Sequence, residues 1–475
     1  MSDNASEAPK LRKIASLARE SPDEKADDEY VPFRDAQWSP DGACLLTCGW
    51  QPLPPLAHIT GRKRSQLHTF HLIMPADLLS KTDEYKVKPY STYNIGETIS
   101  AFAPYPGWDQ NDPSTTLVLT AFPEAGGDAQ PMKLRNGLYY EGGPVHEYPL
   151  VQNEKHLPVY SLAFTRSGDH FVAGSDTLLS IFDVRRNAEG PVEQHKTKPS
   201  RAAARKLKYS EPGIRGRIRA LDISPEGLLA VGTGDQSGAL RSIAIFADEG
   251  RGPPIMNSFL KNDLRERDPS VSGMGVSQLK WSPCGKYLYV AERKSDVLLL
   301  YDVRASTHLL GILRGRNATA NQTLGFDLSL TDEKGGYEIW AGGIDGKVRM
   351  WKDPHLKEAD IPAEIVLEAH TTPVVSTLVH PTRSIVATCS APDAAAARLQ
   401  LNDDSDTDSS ESDSSESDSS ESEDGDEKED GDEKGDASTE GPSKDKKSGS
   451  NSDPPRAKFF YQVPPPADLK IWAFP

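Results

Sequence analysis

Arginine and lysine residues stand in pairs and triplets at several separate places along the chain. These groups are Arg62, Lys63 and Arg64; Lys206 and Lys208; Arg215 and Arg217; Arg293 and Lys294; and Arg314 and Arg316. Arginine can bind a phosphate through two parallel N–H bonds, and its flat guanidinium can also stack on a base. The aromatic residues Trp50 and Tyr209 stand near two of these groups and are candidate stacking partners. If the fold gathers these side chains, their chemistry suits the binding of a polyanion such as a nucleic acid.

The patterns that usually carry catalysis are not found in the sequence. It has no phosphate-binding Gly-rich loop before a helix, no His-Glu-x-x-His and no nucleophile elbow. The histidines are scattered singly, which favours structural roles. Cys44 and Cys48 stand on one predicted strand, too far apart for a disulfide and without the spacing of a zinc site. The sequence therefore predicts a protein that is not an enzyme and that holds no metal or cofactor.

One short pattern recurs along the chain: an apolar strand, a turn with Pro or Gly, and a second apolar strand. Its clearest copy is AQWSPDGACLLTCG, residues 36–49. The other copies are 100–122, 162–175, 221–234, 279–292, 326–343 and 377–390. Matching positions are about 49 to 64 residues apart, which is longer than the roughly 40–45 residues of an ordinary propeller blade.

A third strand follows each copy and often ends in an aromatic residue and an Asp. These strands are 66–73, a degenerate version at 131–136, 178–184, 241–248, 297–303, 346–353 and 469–474. Alternating apolar residues between Gly/Pro turns, with no long helical pattern, predict an all-β fold. We therefore expect a seven-bladed β-propeller. Two β-sandwich domains are the alternative, but they do not explain a motif that occurs seven times.

The predicted propeller occupies most of the chain. Residues 1–10 are polar and predicted to be disordered, and residues 11–390 form the propeller. Within it, strand 11–18 is expected to close the ring by joining the last blade. Residues 391–456 are a Ser-, Asp- and Glu-rich low-complexity insertion that is predicted to be disordered, and residues 457–475 hold the final propeller strand.

The charge of the chain is unevenly distributed. The formal net charge is −17, but residues 403–447 alone contain 20 Asp or Glu and five Lys, which leaves the rest near neutral. In a propeller, the link from the second to the third strand of a blade emerges on the same face as the link between blades. The basic groups named above fall in such links, so we expect them to share one rim. A near-neutral body with one cationic face is typical of a nucleic-acid binder.

The acidic insertion also leaves the predicted propeller from a link between a second and a third strand. One hypothesis is that it folds back over the basic rim and competes with RNA, and another is that it recruits a basic partner. A purely solubilising role is the open alternative. Its Ser-x-x-Glu/Asp spacing suits an acid-directed kinase, whose phosphate groups would add negative charge.

The N-terminal residues MSDNASEAPKLRKIAS lack the apolar core of a signal peptide. No run in the sequence approaches 18 apolar residues. We therefore expect an intracellular protein that does not enter a membrane, and a monomer.

Several blocks carry a family resemblance: FRDAQWSPDGACLLTCG, AFTRSGDHFVAGSDTLLSIFDVRR, GRIRALDISPEGLLAVGT, and NATANQTLGFDLSLTD followed by WAGGIDGKVRMW. In these blocks, and in the acidic insertion that splits the last repeat, the chain resembles the telomerase Cajal body protein family of WD-repeat proteins and its fungal relatives linked to pre-mRNA splicing. The likeness covers residues 33–475 patchily. It implies a non-enzymatic nuclear propeller that binds small nuclear or guide RNAs, or their ribonucleoproteins, in splicing or in small-ribonucleoprotein biogenesis. The alternative is a protein–protein adaptor without direct RNA binding.

Overall fold

The computed structural model describes most of the chain outside its acidic segment. The described residues are 11–19, 32–50, 65–71, 83–95, 98–122, 129–139, 143–197, 214–234, 243–257, 271, 273–305, 308–331, 335–382, 384–392 and 467–474. The predictions of disorder for residues 1–10 and for the acidic insertion lie outside this set, apart from the first two residues of the insertion.

Regular structure in these residues consists of strands and three short 3₁₀ turns. The first strands are β1 (Arg12–Arg19), β2 (Phe33–Trp38), β3 (Cys44–Trp50), β4 (Ser65–His71), β5 (Tyr85–Lys86), β6 (Ser91–Ile95), β7 (Ala101–Pro104), β8 (Leu117–Ala121), β9 (Met132–Asn136), β10 (His146–Tyr148), β11 (Val151–Gln152) and β12 (Lys155–His156). The middle strands are β13 (Ser161–Phe164), β14 (His170–Gly174), β15 (Leu178–Asp183), β16 (Glu193–Lys196), β17 (Ile218–Ile223), β18 (Leu229–Thr233), β19 (Ile243–Phe246) and β20 (Pro254–Asn257). The last strands are β21 (Val276–Trp281), β22 (Tyr287–Glu292), β23 (Leu298–Asp302), β24 (His308–Arg314), β25 (Phe326–Leu330), β26 (Tyr337–Gly342), β27 (Lys347–Lys352), β28 (Ala359–Pro362), β29 (Ile365–Glu368), β30 (Val374–Val379), β31 (Ile385–Ser390) and β32 (Ala467–Ala473). The 3₁₀ turns are Asp248–Gly250, Val303–Ala305 and Pro354–Leu356. No helix among the described residues has the length and apolar character needed to span a membrane.

The described strands assemble into seven sheets of four or five strands and one two-stranded ribbon. In chain order of their innermost strands, we number them sheet 1 (β2-β3-β4-β6), sheet 2 (β7-β8-β9-β10), sheet 3 (β13-β14-β15-β16), sheet 4 (β17-β18-β19-β20), sheet 5 (β21-β22-β23-β24-β28), sheet 6 (β25-β26-β27-β29) and sheet 7 (β30-β31-β32-β1-β5). The ribbon pairs β11 with β12 between sheets 2 and 3.

The innermost strand of each sheet contacts the innermost strand of the next one. These contacts run from β2 to β7, β13, β17, β21, β25 and β30, and from β30 back to β2. The cycle closes on itself, so the sheets surround a central channel lined by their first strands. An all-β propeller, as predicted from the repeats, is confirmed.

Apolar side chains fill the spaces between neighbouring sheets. Phe33 and Leu45 of sheet 1 pack in one buried cluster with Ile385 and Leu469 of sheet 7. The other clusters likewise take their members from two neighbouring sheets. Because burial of one large apolar side chain contributes about 1.5–3 kcal/mol, this packing between sheets holds the ring together.

The N-terminal strand closes the ring, as the sequence predicts. β1 pairs antiparallel with β32, with Arg12 opposite Ala473 and Arg19 opposite Ala467. The last sheet thus combines strands from both ends of the described chain. Such closure leaves the sheet without an open edge at the seam.

The turn after the first inner strand shows why the repeat needs its Gly. The Gly42 amide donates to the Ser39 carbonyl over 2.8 Å, and Gly42 has φ of 70°. A Cβ at Gly42 would lie 2.4 Å from the His380 ring of the last sheet, and His380 Nε2 lies 3.0 Å from the Gly42 carbonyl oxygen. The turn therefore requires the left-handed backbone, and it also joins sheet 1 to sheet 7.

Some elements are not visible in the repeat pattern. The degenerate second repeat forms a complete four-stranded sheet, and β9 occupies Met132–Asn136 within it. Two short strands, β5 and β28, pair in parallel with the outer strands β1 and β24. Strands of two to four residues contain too few alternations to produce a periodic signal.

The cysteines are mostly small buried side chains. All four are free, and Cys44, Cys48 and Cys389 are buried, whereas Cys284 is exposed in a turn. Burial raises the pKa of the Cys44 and Cys48 thiols to about 12. These two thiols are therefore unreactive core residues at neutral pH.

Candidate nucleic-acid interface

The two ends of the ring carry different links. Since neighbouring strands of a sheet are antiparallel, the link from the second to the third strand leaves at the same end as the link to the next sheet. We call this end the upper face. Its described links include 175–177, 214–217, 293–297, 315–325 and 343–346. The opposite end, the lower face, carries the remaining links, which include 165–169, 184–192, 247–253 and 303–305.

Several of the basic and aromatic residues predicted to bind RNA lie outside the described residues. They are Arg62, Lys63, Arg64, Lys206, Lys208 and Tyr209. Trp50 is the last residue of β3, at the upper face. For these residues RNA contact stays a prediction.

Four of the five predicted residues in described links of the upper face are exposed or half-buried. Arg215 and Arg217 precede β17, and both are exposed. Arg293 and Lys294 follow β22; Arg293 is half-buried and Lys294 is exposed. Lys294 has φ of 54°, and its amide donates to the Ala320 carbonyl over 3.2 Å. These links from sheets 3 to 5 thus present cations at one end of the ring.

Arg316 does not belong to this exposed set, which corrects the sequence prediction. Its side chain is 1% exposed. The guanidinium donates to the carbonyl oxygens of Leu324 and Gly342. Burial lowers its pKa to about 10, although nearby Asp296 favours the charged form. Arg316 therefore holds the link between sheets 5 and 6 in place, and it is inaccessible to a ligand.

Arg314 is a second correction. It ends β24, and its Nε lies 2.7 Å from Asp360 Oδ1 on the neighbouring strand β28. The carboxylate neutralises the guanidinium at the outer part of sheet 5. A phosphate would have to compete with this ion pair, so we remove Arg314 from the candidate interface.

A repeated irregularity places two further arginines at the upper face. The innermost strands β2, β17, β21 and β30 each shift register after their first residue. The residues skipped by the pairing are Arg34, Arg219, Ser277 and Val375. Such bulges bend the strand and redirect the side chain of the unpaired residue. In sheets 1 and 4 that side chain is an arginine at the entrance of the channel.

Tyr160 holds two of the upper-face arginines. The guanidinium of Arg217 lies 5.1 Å from the centre of the Tyr160 ring, and that of Arg219 lies 5.7 Å from it. Cation–π contacts of this kind contribute about 0.5–1 kcal/mol at exposed sites. The backbone of Arg217 also bridges to Asp176 in the link of sheet 3.

Gly234 leaves space for the Arg219 side chain. A Cβ at Gly234 would lie 2.5 Å from Arg219 Cδ, and the Gly234 amide donates to the Arg217 carbonyl over 2.9 Å. The glycine and the tyrosine together fix the path of the Arg219 side chain.

Arg34, Arg217, Arg219 and Arg293 form what we call the arginine cluster. Burial, followed by the charges of Arg293 and Arg217 and also that of Arg34, lowers the pKa of Arg219. Among the described residues, no carboxylate forms an ion pair with a member of this cluster. The cluster is therefore a local excess of positive charge on a nearly neutral body.

The sequence prediction missed Arg34, Arg219 and Tyr160. Arg34 and Arg219 lie inside strands rather than in links, and only the bulge exposes them. A usable signal was the second position of each inner strand, which is Arg in sheets 1 and 4. Tyr160 stands directly before β13, at the upper end of sheet 3.

Beneath the cluster, the channel changes sign. Asp35 follows Arg34 on β2, and Asp222 lies on β17. Desolvation inside the ring raises the pKa of each of these carboxyl groups to about 6, although the Asp35 residue keeps an exposed surface. Asp222 Oδ2 accepts the amide of Trp281 from the next sheet over 2.6 Å. Asp222 therefore helps to join two inner strands, whereas Asp35 accepts from the amide of Ala36 on its own strand. Both carboxylates mark the lower limit of the cationic zone.

Lys280 is the cation within this acidic layer. Its Nζ lies 3.0 Å from Asp327 Oδ1, and the charge of Asp327, opposed by burial, raises the pKa of Lys280. Asp327 Oδ2 in turn accepts the Val379 amide over 3.0 Å. The ion pair and this hydrogen bond together link the inner strands of sheets 5, 6 and 7. Lys280 therefore has a structural role.

His370 has the structural role expected from the sequence. Its Nε2 lies 2.7 Å from Thr388 Oγ1, which also accepts from Trp472 Nε1 over 3.0 Å. Burial lowers the pKa of His370 to about 3. The side chain therefore stays neutral and ties the link before sheet 7 to the second and third strands of that sheet. Among the described residues, no group of three or more His, Cys, Asp or Glu has the geometry of a metal site.

Comparison with known proteins identifies the repeat. The family model for "WD domain, G-beta repeat" matches residues 147–183. This segment runs from β10, the outer strand of sheet 2, to the end of β15 in sheet 3. The chain contains a WD repeat. WD40 propellers are typically non-enzymatic scaffolds on which other molecules assemble.

Two kinds of curated WD-repeat relatives match this protein. A fission yeast protein, "Guanine nucleotide-binding protein negative regulator 1", is 27% identical over 336 residues, which cover 69% of this chain and 72% of the relative. "Telomerase Cajal body protein 1" of mouse is 22% identical over 386 residues, covering 75% of this chain and 58% of the relative. The golden hamster protein of the same name is 22% identical over 337 residues, covering 67% of this chain and 50% of the relative. The chain thus spans only about half of the length of these Cajal body relatives.

Proposed function

We propose that this WD-repeat protein is a non-enzymatic nuclear scaffold that binds a small nuclear or guide RNA, or its ribonucleoprotein, through the arginine cluster. The observation that carries the proposal is the cluster itself. Guanidinium groups from sheets 1 and 5 and from the start of sheet 4 meet at the upper face, and none has a carboxylate partner among the described residues.

Physical chemistry supports a nucleic acid as the ligand. Binding of RNA phosphates by arginine releases counterions, and Tyr160 with its two guanidinium groups offers a flat surface for a base. Arg215 and Lys294 extend the positive charge along the rim. A nearly neutral body keeps this attraction local.

The finer assignments also belong to the proposal. The name of the Cajal body relatives favours a ribonucleoprotein in the nucleus, in small-ribonucleoprotein biogenesis or splicing. The closed cycle of inner strands and the pairing of β1 with β32 support a seven-bladed ring. We propose that the protein acts as a monomer without a cofactor.

Charge reversal tests the proposal directly. In the variant with Arg217→Glu, Arg219→Glu and Arg293→Glu, we expect RNA affinity to fall by about 100-fold, because three phosphate contacts are replaced by repulsion. The matched control reverses Arg185, Arg251 and Arg304 on the lower face and should leave affinity within about twofold. Ultraviolet crosslinking followed by sequencing of the recovered RNA identifies the ligand. Equal affinities of the two variants would contradict the assigned site.

A protein-binding role is the second candidate, and the lower face of sheet 6 offers an observation in its favour. Leu330, at the end of β25, is 69% exposed, and Leu356, in the 3₁₀ turn, is 75% exposed. Changing both to Asp would weaken a protein partner at this face and leave RNA binding unchanged. If crosslinking recovers protein and no RNA, the adaptor function replaces the RNA scaffold.

A further inference from the structure

The members of the arginine cluster converge from positions that are distant in the ring. Arg34 belongs to sheet 1, Arg219 to sheet 4, and Arg293 to the link inside sheet 5. Sheet 1 neighbours neither sheet 4 nor sheet 5 in the cycle of inner strands. The charge of Arg34 nevertheless acts on Arg219. Arg34 and Arg219 are the unpaired residues near the upper ends of two strands that line the channel, so they stand at the channel entrance instead of on the outer rim.

Each guanidinium in the cluster is held by an uncharged group. Arg34 Nη1 donates to the Ile99 carbonyl, and Arg293 Nη2 lies 3.5 Å from Asn321 Oδ1. Tyr160 supports Arg217 and Arg219. The Arg219 Nε is a buried atom without a hydrogen-bond partner among the described residues. Like charges are therefore held at the channel entrance with donor capacity to spare, an arrangement that an anion would stabilise.

The channel beneath limits how deeply an anion can enter. Asp35 follows Arg34 directly, and Asp222 lies further down β17 from Arg219. Lys280 is already paired with Asp327 over 3.0 Å. Phosphate is attracted to the entrance and repelled by the carboxylates below it, so the favourable position for negative charge is a small volume at the mouth.

We propose that the arginine cluster is a pocket for closely grouped phosphates, such as the 5′-triphosphate end of an RNA or a small polyphosphate. The RNA form of this ligand rests on the proposed function. Backbone phosphates are spaced along a strand with one charge each, and cations arranged along the rim would match them. A convergent set of guanidinium forks instead matches several phosphate charges at one point.

Three RNAs of one sequence test the pocket: one with a 5′-hydroxyl, one with a 5′-monophosphate and one with a 5′-triphosphate. We expect the triphosphate RNA to bind the full-length protein about tenfold more tightly than the hydroxyl RNA, because charge-assisted bonds form only with the terminal phosphates. Inorganic tripolyphosphate and inositol hexakisphosphate serve as free probes. Both should compete with the triphosphate RNA for the pocket. Direct titration of the protein with each free probe shows whether a small polyphosphate binds without RNA, which separates the two sources of clustered phosphate.

A conservative variant separates a shaped pocket from general attraction. Arg219→Lys keeps the positive charge but loses the planar fork and the contact geometry with Tyr160. We expect it to lose most of the preference for the triphosphate end while binding of the hydroxyl RNA changes little. Arg304→Lys on the lower face is the matched control and should keep the preference. Thermal unfolding of both variants confirms that they fold.

The outcomes distinguish this inference from the proposed function. Equal affinity for the three RNAs overturns the phosphate pocket and leaves RNA binding intact. Binding of tripolyphosphate without binding of any RNA supports the pocket and overturns the RNA scaffold, provided that Arg219→Glu abolishes it. If the Arg219→Glu variant binds tripolyphosphate as tightly as the wild type, the pocket is overturned. Failure to bind either RNA or tripolyphosphate overturns both.

Discussion

The arginines of the two faces differ in their partners. On the lower face, Arg185 lies 2.8 Å from Asp169, Arg251 lies 2.8 Å from Asp248, and Arg304 lies 2.7 Å from Asp302. On the upper face, the members of the arginine cluster contact an aromatic ring, a carbonyl or an amide. Exposed ion pairs add little stability, but they cancel local charge. These three ion pairs therefore add little net charge to the lower face, whereas the arginine cluster adds positive charge to the upper face.

Position on the upper face is not sufficient to make a basic residue a ligand contact. Arg316 is buried against backbone carbonyls, and Arg349 is paired with Asp345 through two bonds of 2.7 and 3.0 Å. Only residues that are both accessible and without a carboxylate keep their charge for a ligand. The predictions below test this distinction, beginning with the largest expected effect.

Arg316→Met should lower the free energy of unfolding by about 3 kcal/mol, because it leaves the buried carbonyls of Leu324 and Gly342 without their donor. Arg217→Met, at an exposed position, is the control and should lower stability by no more than about 1 kcal/mol, through the loss of its contact with Tyr160. Urea unfolding at equilibrium measures both values. Similar losses for the two variants would contradict the division into structural and accessible arginines.

His370 gives a second structural contrast on the upper face, through pH. The pKa of His370 in the fold is about 3, below that of an unfolded histidine, so the unfolded chain binds the additional proton between these values. The stability that His370 contributes is thus present above pH 6.5 and is lost as pH falls. We expect wild type to lose about 2 kcal/mol more than His370→Asn between pH 7 and pH 5.

Chemical denaturation at several pH values checks this difference between the two proteins. The carboxyl groups of Asp35 and Asp222, whose pKa values are raised to about 6, titrate in the opposite direction in both proteins. Comparison with the variant at each pH therefore removes their contribution. Parallel stability curves for wild type and variant would show that His370 is not buried as a neutral side chain.

The local parts of this fold could be predicted from the sequence, and the contacts between distant parts could not. The turn at residues 39–42 and the closing strand β1 follow from Gly/Pro chemistry and from the need to complete a ring. Arg316 and Arg217 look alike in sequence, since both lie in polar links. Their difference depends on the carbonyls of Leu324 and Gly342, which only the folded ring brings to Arg316.

The bulged arginines illustrate the same limit. The alternation of side chains along a regular strand would place Arg34 and Arg219 on one of the two faces of a sheet. The register shift at each of these residues interrupts the alternation, so the pattern does not predict where the side chain points. The placement of Arg34 and Arg219 at one channel entrance depends on closure of the whole ring. Sequence reasoning therefore located basic residues in the links of the upper face and missed the two arginines inside the strands.

Arg62, Lys63 and Arg64 lie outside the described residues and extend the prediction of a cationic upper face to the link after β3. Reversal of all three to Glu should weaken RNA binding by about tenfold and should also reduce its dependence on salt, since three phosphate contacts are lost. Filter binding at several salt concentrations measures both quantities. An unchanged salt slope would remove this link from the interface.

The acidic segment that follows β31 in the chain should have the smallest effect. If it competes with RNA for the upper face, deletion of residues 402–452 should raise RNA affinity a few-fold at low salt, because about 15 negative charges are removed. The gain should disappear at high salt, where exposed charges are screened. Unchanged affinity at every salt concentration would leave a solubilising role or a basic partner as the explanation.

The salt dependence of RNA affinity tests the contrast between the two faces most directly. For single-stranded RNA, each lost phosphate contact should reduce the slope of log affinity against log salt by about 0.7. Changing Arg34, Arg217, Arg219 and Arg293 together to Gln should therefore flatten the slope strongly, whereas the same change at Arg185, Arg251 and Arg304 should leave it unaltered. Equal slopes for the two variants would contradict the account, because unpaired arginines would then have no special role.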